Sequence, residues 1–262
     1  MTIVLIAIAL YLAAAGWLVA SVRSEDANSR GWLLPANLAL LLHGATHYLA
    51  WRVAGFTDLH FFAALSLVGL GMAALTAVVG ASGRMRALGV LVFPLASLSL
   101  LAYALYGHST RPQGLDWRLL LHAWLALLAY ATLAVAALLA IMLWLQERAL
   151  RRREFHAWLR ALPPLTELET LLFRTIAVGF ALLTLTLLTG ALFVEDFFSQ
   201  RLVEKSVLSV LSWLAFGALL LGRWRRGWRG SVAVRWTLMA MGLLLLAFFG
   251  SQFVLELLLH KE

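Results

Sequence analysis

Eight stretches of this chain are long and apolar enough to cross a bilayer, and nothing else in the sequence constrains the fold as much. They lie near 2–22, 32–54, 61–82, 87–106, 118–146, 172–194, 205–222 and 236–258; the 205–222 run is the shortest. About 20 apolar residues, rising 1.5 Å each as a helix, cross a hydrocarbon core of ~30 Å. Lipid offers no partner to a bare N–H or C=O, so each run must satisfy its own backbone as a helix. The chain is 63% hydrophobic and 13% charged, where a soluble domain carries roughly 25% charged residues. The expectation is an all-α polytopic membrane protein, a bundle of eight transmembrane helices forming one transmembrane domain over 1–262.

A net charge of +8 could point to nucleic acid. The cations, however, concentrate in loops between the runs, which excludes a nucleic-acid partner in favour of the lipid bilayer. Arg23, Arg30, Arg84, Arg86, Arg148, Arg151, Arg152, Arg153, Arg160, Arg223, Arg225, Arg226, Arg229 and Arg235 fall on one side. The other side holds fewer than half as many: Arg52, Arg111, Arg118, Arg201, Lys205 and Lys261. The positive-inside rule then puts both termini on the exported side of a bacterial inner membrane and the Arg-rich loops in the cytoplasm. The first run has no positive charge before it and reads as a retained span rather than a signal peptide. Within 147–164, Phe155, Trp158, Leu159 and Leu162 share a helical face opposite arginines, as an interfacial cytoplasmic helix would. Pro163–Pro164 end it, and 166-TELE-169 then has capping-box spacing ahead of the sixth run. Cysteine is absent, which excludes disulfides and thiolate metal sites.

An ionisable side chain inside a span is costly without a partner or ligand, so the histidines of the runs are the candidate functional residues. His122 enters the fifth run about one turn deep, and Tyr130 follows two turns on, on roughly the same face. His43 and His47 stand at i and i+4 on one face of the second run, with Gly44 between them allowing close approach of a helix or a flat ring. Two readings stay open for each: an imidazole bonded across the bundle, or a ligand to a metal or to haem iron, for which neutral imidazole is well suited. Zinc has little support, because no HExxH and no acidic residue accompanies the pair. His60, His108 and His260 belong to exported loops and are expected in solvent, as is His156 on the cytoplasmic side. The Glu195–Asp196 pair reads as a solvated helix end, and Thr184, Thr186 and Thr189 as residues bonding back to their own helix.

Three stretches resemble one family. LHAWLALLAYATL at 121–133 is similar to its His-containing span. LLFRTIAVGFALLTLTLLTGALF at 171–193 resembles its R-x-I-x-x-G-F-x-L-L-T helix. GWRG at 227–230 precedes a last span containing FFGSQF at 248–253. In that order they resemble the cytochrome c assembly superfamily of CcsA/ResC type, most of all its smaller YpjD-like and HemX-like inner-membrane branch. The resemblance implies haem as the cofactor or cargo, with His122 on the exported-side haem ligand and His43 on the inner one. It further implies a haem-pathway or cytochrome c biogenesis membrane protein as partner; if haem is handled at His122, Trp124, Tyr130, Phe197 and Phe198 are the expected walls and His47 or His260 the residue that completes the axial pair. The chain departs from the pattern in two places: Leu221-Gly222-Arg223 supplies no histidine, and EDFFSQRLVEKSVLSVLSW at 195–213 lacks the tryptophan-rich haem-presenting motif. No nucleophile–base pair or carboxylate dyad is visible, so the chain is not expected to be an enzyme. The competing classes are a regulatory or scaffold protein that has lost haem transport, and a small-solute or ion transporter.

Overall fold

The computed structural model describes residues 1–23, 30–55, 59–81, 86–107, 116–153, 163–193 and 200–250. Among these, all regular structure is helical: α1 (Thr2–Arg23), α2 (Leu33–Ala54), α3 (Phe61–Ala81), α4 (Arg86–Tyr106), α5 (Trp117–Arg151), α6 (Leu165–Phe193), α7 (Gln200–Arg226) and α8 (Ser231–Leu245). A π-helical turn, Leu246–Gly250, continues α8. Each expected run is helical over its described residues. Among the described residues seven helices are long and apolar enough to cross a membrane, and α2 is not one of them. Asn37, His43, Thr46, His47 and Arg52 dilute its apolar content. The chain is thus an all-α, multi-pass membrane protein, in which seven of the eight helices among the described residues qualify as spans by length and composition. At 35 residues α5 is about 50 Å long, well beyond the hydrocarbon core. It carries on through Arg148 to Arg151, so the interfacial helix does not begin as a separate element at 147; residues 154–162 lie outside the described residues.

The chain forms two compact units. One comprises Met1–Gly114 with Ala149–Pro164, the other Leu115–Arg148 with Leu165–Glu262. In the first, α1 packs on α2 and α4, and α3 on α4 and α2. Lipid tails are as apolar as leucine, so close backbone approach rather than hydrophobicity draws such helices together. The sequence supplies it through small residues: Ala63, Ala64, Gly69, Ala73 and Ala77 are all buried on α3. A Cβ on Gly69 would collide with the Ser99 side chain of α4, so this crossing requires glycine. Tyr11 stacks on Phe93 at 5.8 Å, and Trp32 lies against the same ring at 5.9 Å. All three are buried. Pro94, inside α4, removes one backbone donor from that helix.

In the second unit α7 packs on α6 and α8, and α5 meets α6 where Leu133 covers Gly179. Polar side chains join the helices. Trp213 donates Nε1–H to Thr184 Oγ1 at 2.9 Å, Ser212 donates to the Ala240 carbonyl at 2.8 Å, and Tyr130 donates to the Leu244 carbonyl at 2.6 Å. Each such bond contributes roughly 0.6 kcal/mol in a membrane protein. Tyr130 reaches its carbonyl just before the π-helical turn, where the regular ladder is interrupted.

Candidate functional site

His43, on α2, is completely buried. Both its ring nitrogens are engaged: Nδ1 lies 3.2 Å from Tyr11 Oη on α1, and Nε2 lies 2.9 Å from Ser66 Oγ on α3. The i+4 spacing brings His47 onto the same face, with its Nε2 3.0 Å from the same Ser66 oxygen. The two imidazoles stack at 5.6 Å, and His47 stacks on Tyr103 of α4 at 4.5 Å. His60 stands 6.2 Å beyond that ring. It is half-buried among aromatic side chains, where the sequence suggested a solvated loop residue. Its place just ahead of α3 puts it beside the end of α4, which loop position alone does not show.

The second site lies in the other unit. His122 of α5 is half-buried, and its ring lies over Gly190 of α6: a Cβ at 190 would come within 3.0 Å of Cε1. His122 Nδ1 is 3.2 Å from Thr189 Oγ1. That hydroxyl already directs its hydrogen to the Leu185 and Thr186 carbonyls at 2.9 and 3.0 Å. With that hydrogen so directed, the hydroxyl accepts from the imidazole, an arrangement that favours the proton on Nδ1 and the lone pair on Nε2. Thr189 does bond back to its own helix as expected, and it also meets the ring of His122, which the sequence alone does not reveal.

Of the expected walls, Tyr130 is buried and spends its hydroxyl on Leu244. Trp124 is 45% exposed, and two residues on from His122 is about 200° around the helix, away from the imidazole. Phe197, Phe198 and His260 lie outside the described residues, as do His108, His156, Glu195 and Asp196. Among the described residues no three or more His, Asp or Glu side chains are grouped to hold a metal ion.

A third polar cluster organises the GWRG turn. Gly227 ends α7 at φ +64°, with its N–H on the Arg223 carbonyl and the Trp228 N–H on the Gly222 carbonyl. This left-handed C-terminal stop needs glycine. Trp228 then covers Gly222 and lies 5.5 Å from Trp236. Glu169 of α6 is buried and receives the Gly230 N–H at 2.7 Å, where α8 begins. Its other oxygen accepts from Arg229 Nη2 at 3.3 Å and Nε at 3.4 Å. The capping box expected at 166-TELE-169 does not form: α6 already begins at Leu165, and Glu169 serves the start of α8.

The family model described as Cytochrome C assembly protein matches residues 32–259. Inner membrane protein YpjD of Escherichia coli K12 is 37% identical over 140 residues, 53% of each chain. Protein HemX of Brevibacillus brevis is 28% identical over 134 residues, 50% of this chain and 49% of that one. Cytochrome c biogenesis protein CcsA of Prochlorococcus marinus (strain MIT 9515) is 34% identical over 90 residues, 34% of this chain and 29% of that one. The chain thus spans about half the length of the curated relatives it matches, or less. No solved structure matches it.

Proposed function

The chain belongs to the cytochrome c assembly protein family, and from that premise we propose that it binds and hands on haem at His122. The observation that carries this reading is the contact of that imidazole's Nδ1 with Thr189, which favours a lone pair on Nε2. Haem iron takes a neutral ring nitrogen whose opposite N–H has a hydrogen-bond partner. His122 supports this with Nδ1–H on Thr189 and the lone pair on Nε2. Glycine at 190 leaves room for the ring where any side chain would press on it.

His43 fits iron less well in this conformation. It is fully buried, and both its nitrogens are bonded. A macrocycle would have to part α1 from α3 to reach it. We therefore assign haem to His122 alone among the described histidines, with Tyr130 fixing α5 against α8 below it. Haem supplies the iron that Nε2 would ligate; the protein holds, orients and releases it without acting as an enzyme.

The same reading puts the protein in a bacterial inner membrane with both termini exported, on the strength of its arginine asymmetry. It also takes α2 as an eighth span. Leu34, Leu38, Leu41, Leu49 and Val53 form an exposed apolar stripe at helical spacing, as lipid contact requires. The partner is another membrane protein of the haem pathway.

The test is the absorbance spectrum of the purified full-length protein in detergent after haem is supplied. A Soret band is expected that falls sharply in His122→Ala and little in His43→Gln. A band that survives His122→Ala unchanged would remove His122 from the site. Protein that takes up no haem at all would make it a scaffold of the same pathway.

A further inference from the structure

A cation stands beside the His122 site that iron ligation does not use. Arg118 lies four residues before His122 on α5, so the two share a face and are about 6 Å apart along the helix axis. His122 meets Gly190 and Leu133 meets Gly179, so α5 and α6 run antiparallel, and the end of α6 meets the start of α5. Phe193 follows Gly190 by three residues, which puts it on the same side of α6 and about one turn nearer that end. There the guanidinium carbon of Arg118 lies 5.7 Å from the centre of the Trp117 ring and 6.0 Å from that of Phe193. The two rings are 6.2 Å from each other. Both contacts of the cation fall within the ~6 Å reach of cation–π attraction.

An exposed arginine in the first turn of a membrane helix ordinarily meets only water or headgroups. Two features set Arg118 apart, although it too is exposed. It lies against rings from two different helices, and it lies one turn from an imidazole that has an open glycine beneath it. Ring contacts engage the charge without consuming the N–H donors, whose planar fork matches a carboxylate. They also restrict the side chain before any ligand arrives, so less freedom is lost on binding.

On the reading that His122 holds haem, we propose that Arg118, braced by Trp117 and Phe193, receives a carboxylate of that ligand. The site then selects a flat ligand with free acid groups and turns those groups toward the start of α5. Haem has this character: an apolar macrocycle with its propionate carboxylates along one edge. The apolar body suits glycine and the aromatic rings, and the acid edge suits the guanidinium. Arg118 is thus a specificity-determining residue and not an iron ligand. The aromatic wall passes from Trp124, which points away from the imidazole, to Trp117 and Phe193.

The test titrates the full-length protein in detergent with iron protoporphyrin IX and with its dimethyl ester, which keeps the macrocycle and the iron but has no acid groups. Affinity and Soret position are read together. The ester partitions more readily into detergent, so the ratio of the two affinities is compared between parent and variant. Arg118→Gln should weaken binding of the acid about tenfold, equivalent to about 1.4 kcal/mol. Affinity for the ester and both Soret positions should stay the same, because His122 is untouched. Arg118→Lys should restore part of the loss, since it keeps the charge without the fork. Far-UV circular dichroism should match the parent in both variants, because the substituted side chain is exposed. If Arg118→Gln weakens acid and ester alike, or neither, the arginine does not receive the carboxylate, while haem at His122 stands. A Soret band unchanged in His122→Ala would instead overturn the iron site and the placement of the carboxylate beside it. Protein that binds neither porphyrin would overturn both.

Discussion

Replacing Glu169 should unfasten the α7–α8 turn, and the size of the effect follows from the exposure of its partners. Arg229 is 63% exposed, so its ion pair with Glu169 is screened by solvent and contributes only about 0–1 kcal/mol. The Gly230 N–H is different. It donates to a buried carboxylate at 2.7 Å and is one of the otherwise unmatched donors at the start of α8. A hydrogen bond to a charged group is worth roughly 1.5–3 kcal/mol, and a negative charge at a helix start adds about 0.3–1. Glu169→Ala removes all of this and should cost about 3 kcal/mol. Glu169→Gln keeps an acceptor for Gly230 but loses the charge, and should cost about 1 kcal/mol. Unfolding of the purified protein by SDS titration from a mild detergent, followed by far-UV circular dichroism and tryptophan fluorescence, measures both. If the alanine and glutamine variants are equally destabilised, the ion pair and not the backbone bond dominates, and the reasoning fails. It fails equally if Glu169→Ala lies within about 0.5 kcal/mol of the parent, the range of a neutral surface change.

The same titration tests Gly230→Ala. Gly230 sits at φ +56° with the Glu147 carboxylate where a Cβ would go, so alanine there should cost about 1–3 kcal/mol. Gly190→Val should displace the His122 ring, whose Cε1 lies 3.0 Å from the added Cβ. Haem retention should fall while helical content stays the same, and unchanged retention would show that the ring position does not matter. Thr189→Val removes the acceptor that holds the proton on Nδ1; bound haem should be weaker than in the parent yet stronger than in His122→Ala. For topology, a membrane-impermeant thiol reagent on intact cells should label Asp116→Cys and spare Ser231→Cys, and the native chain has no cysteine to interfere. The reverse pattern would invert the orientation.

The helices were legible because lipid leaves a long apolar run one choice, and each run is helical over its described residues. Their ends were not. The run ending at 146 stops where arginines begin, but a helix can continue into water once started, and α5 reaches Arg151. Glu169 shows how a local motif can mislead. Its spacing from Thr166 suits a capping box, but α6 starts two residues earlier than that box needs, and the side chain goes to a backbone donor 61 residues away. Hydropathy also understates α2, whose buried positions include His43 beside two alanines and whose exposed positions include leucines and a valine.

The candidate sites divide along the same line. A histidine in a span announces itself, because its cost demands a partner, and His43, His47 and His122 were all visible for that reason. The partners were hidden because short hydroxyls are cheap in helices: Ser66 and Thr189 can each bond back to their own helix and raise no alarm in a sequence. Yet those hydroxyls separate the two histidine sites. Thr189 bonds back to its own helix and meets His122 at Nδ1. Ser66 stands between two imidazoles and, together with Tyr11, engages both nitrogens of His43. Histidines of the same kind, in helices of similar composition, are thus set apart by whether the hydroxyls around them engage one ring nitrogen or both.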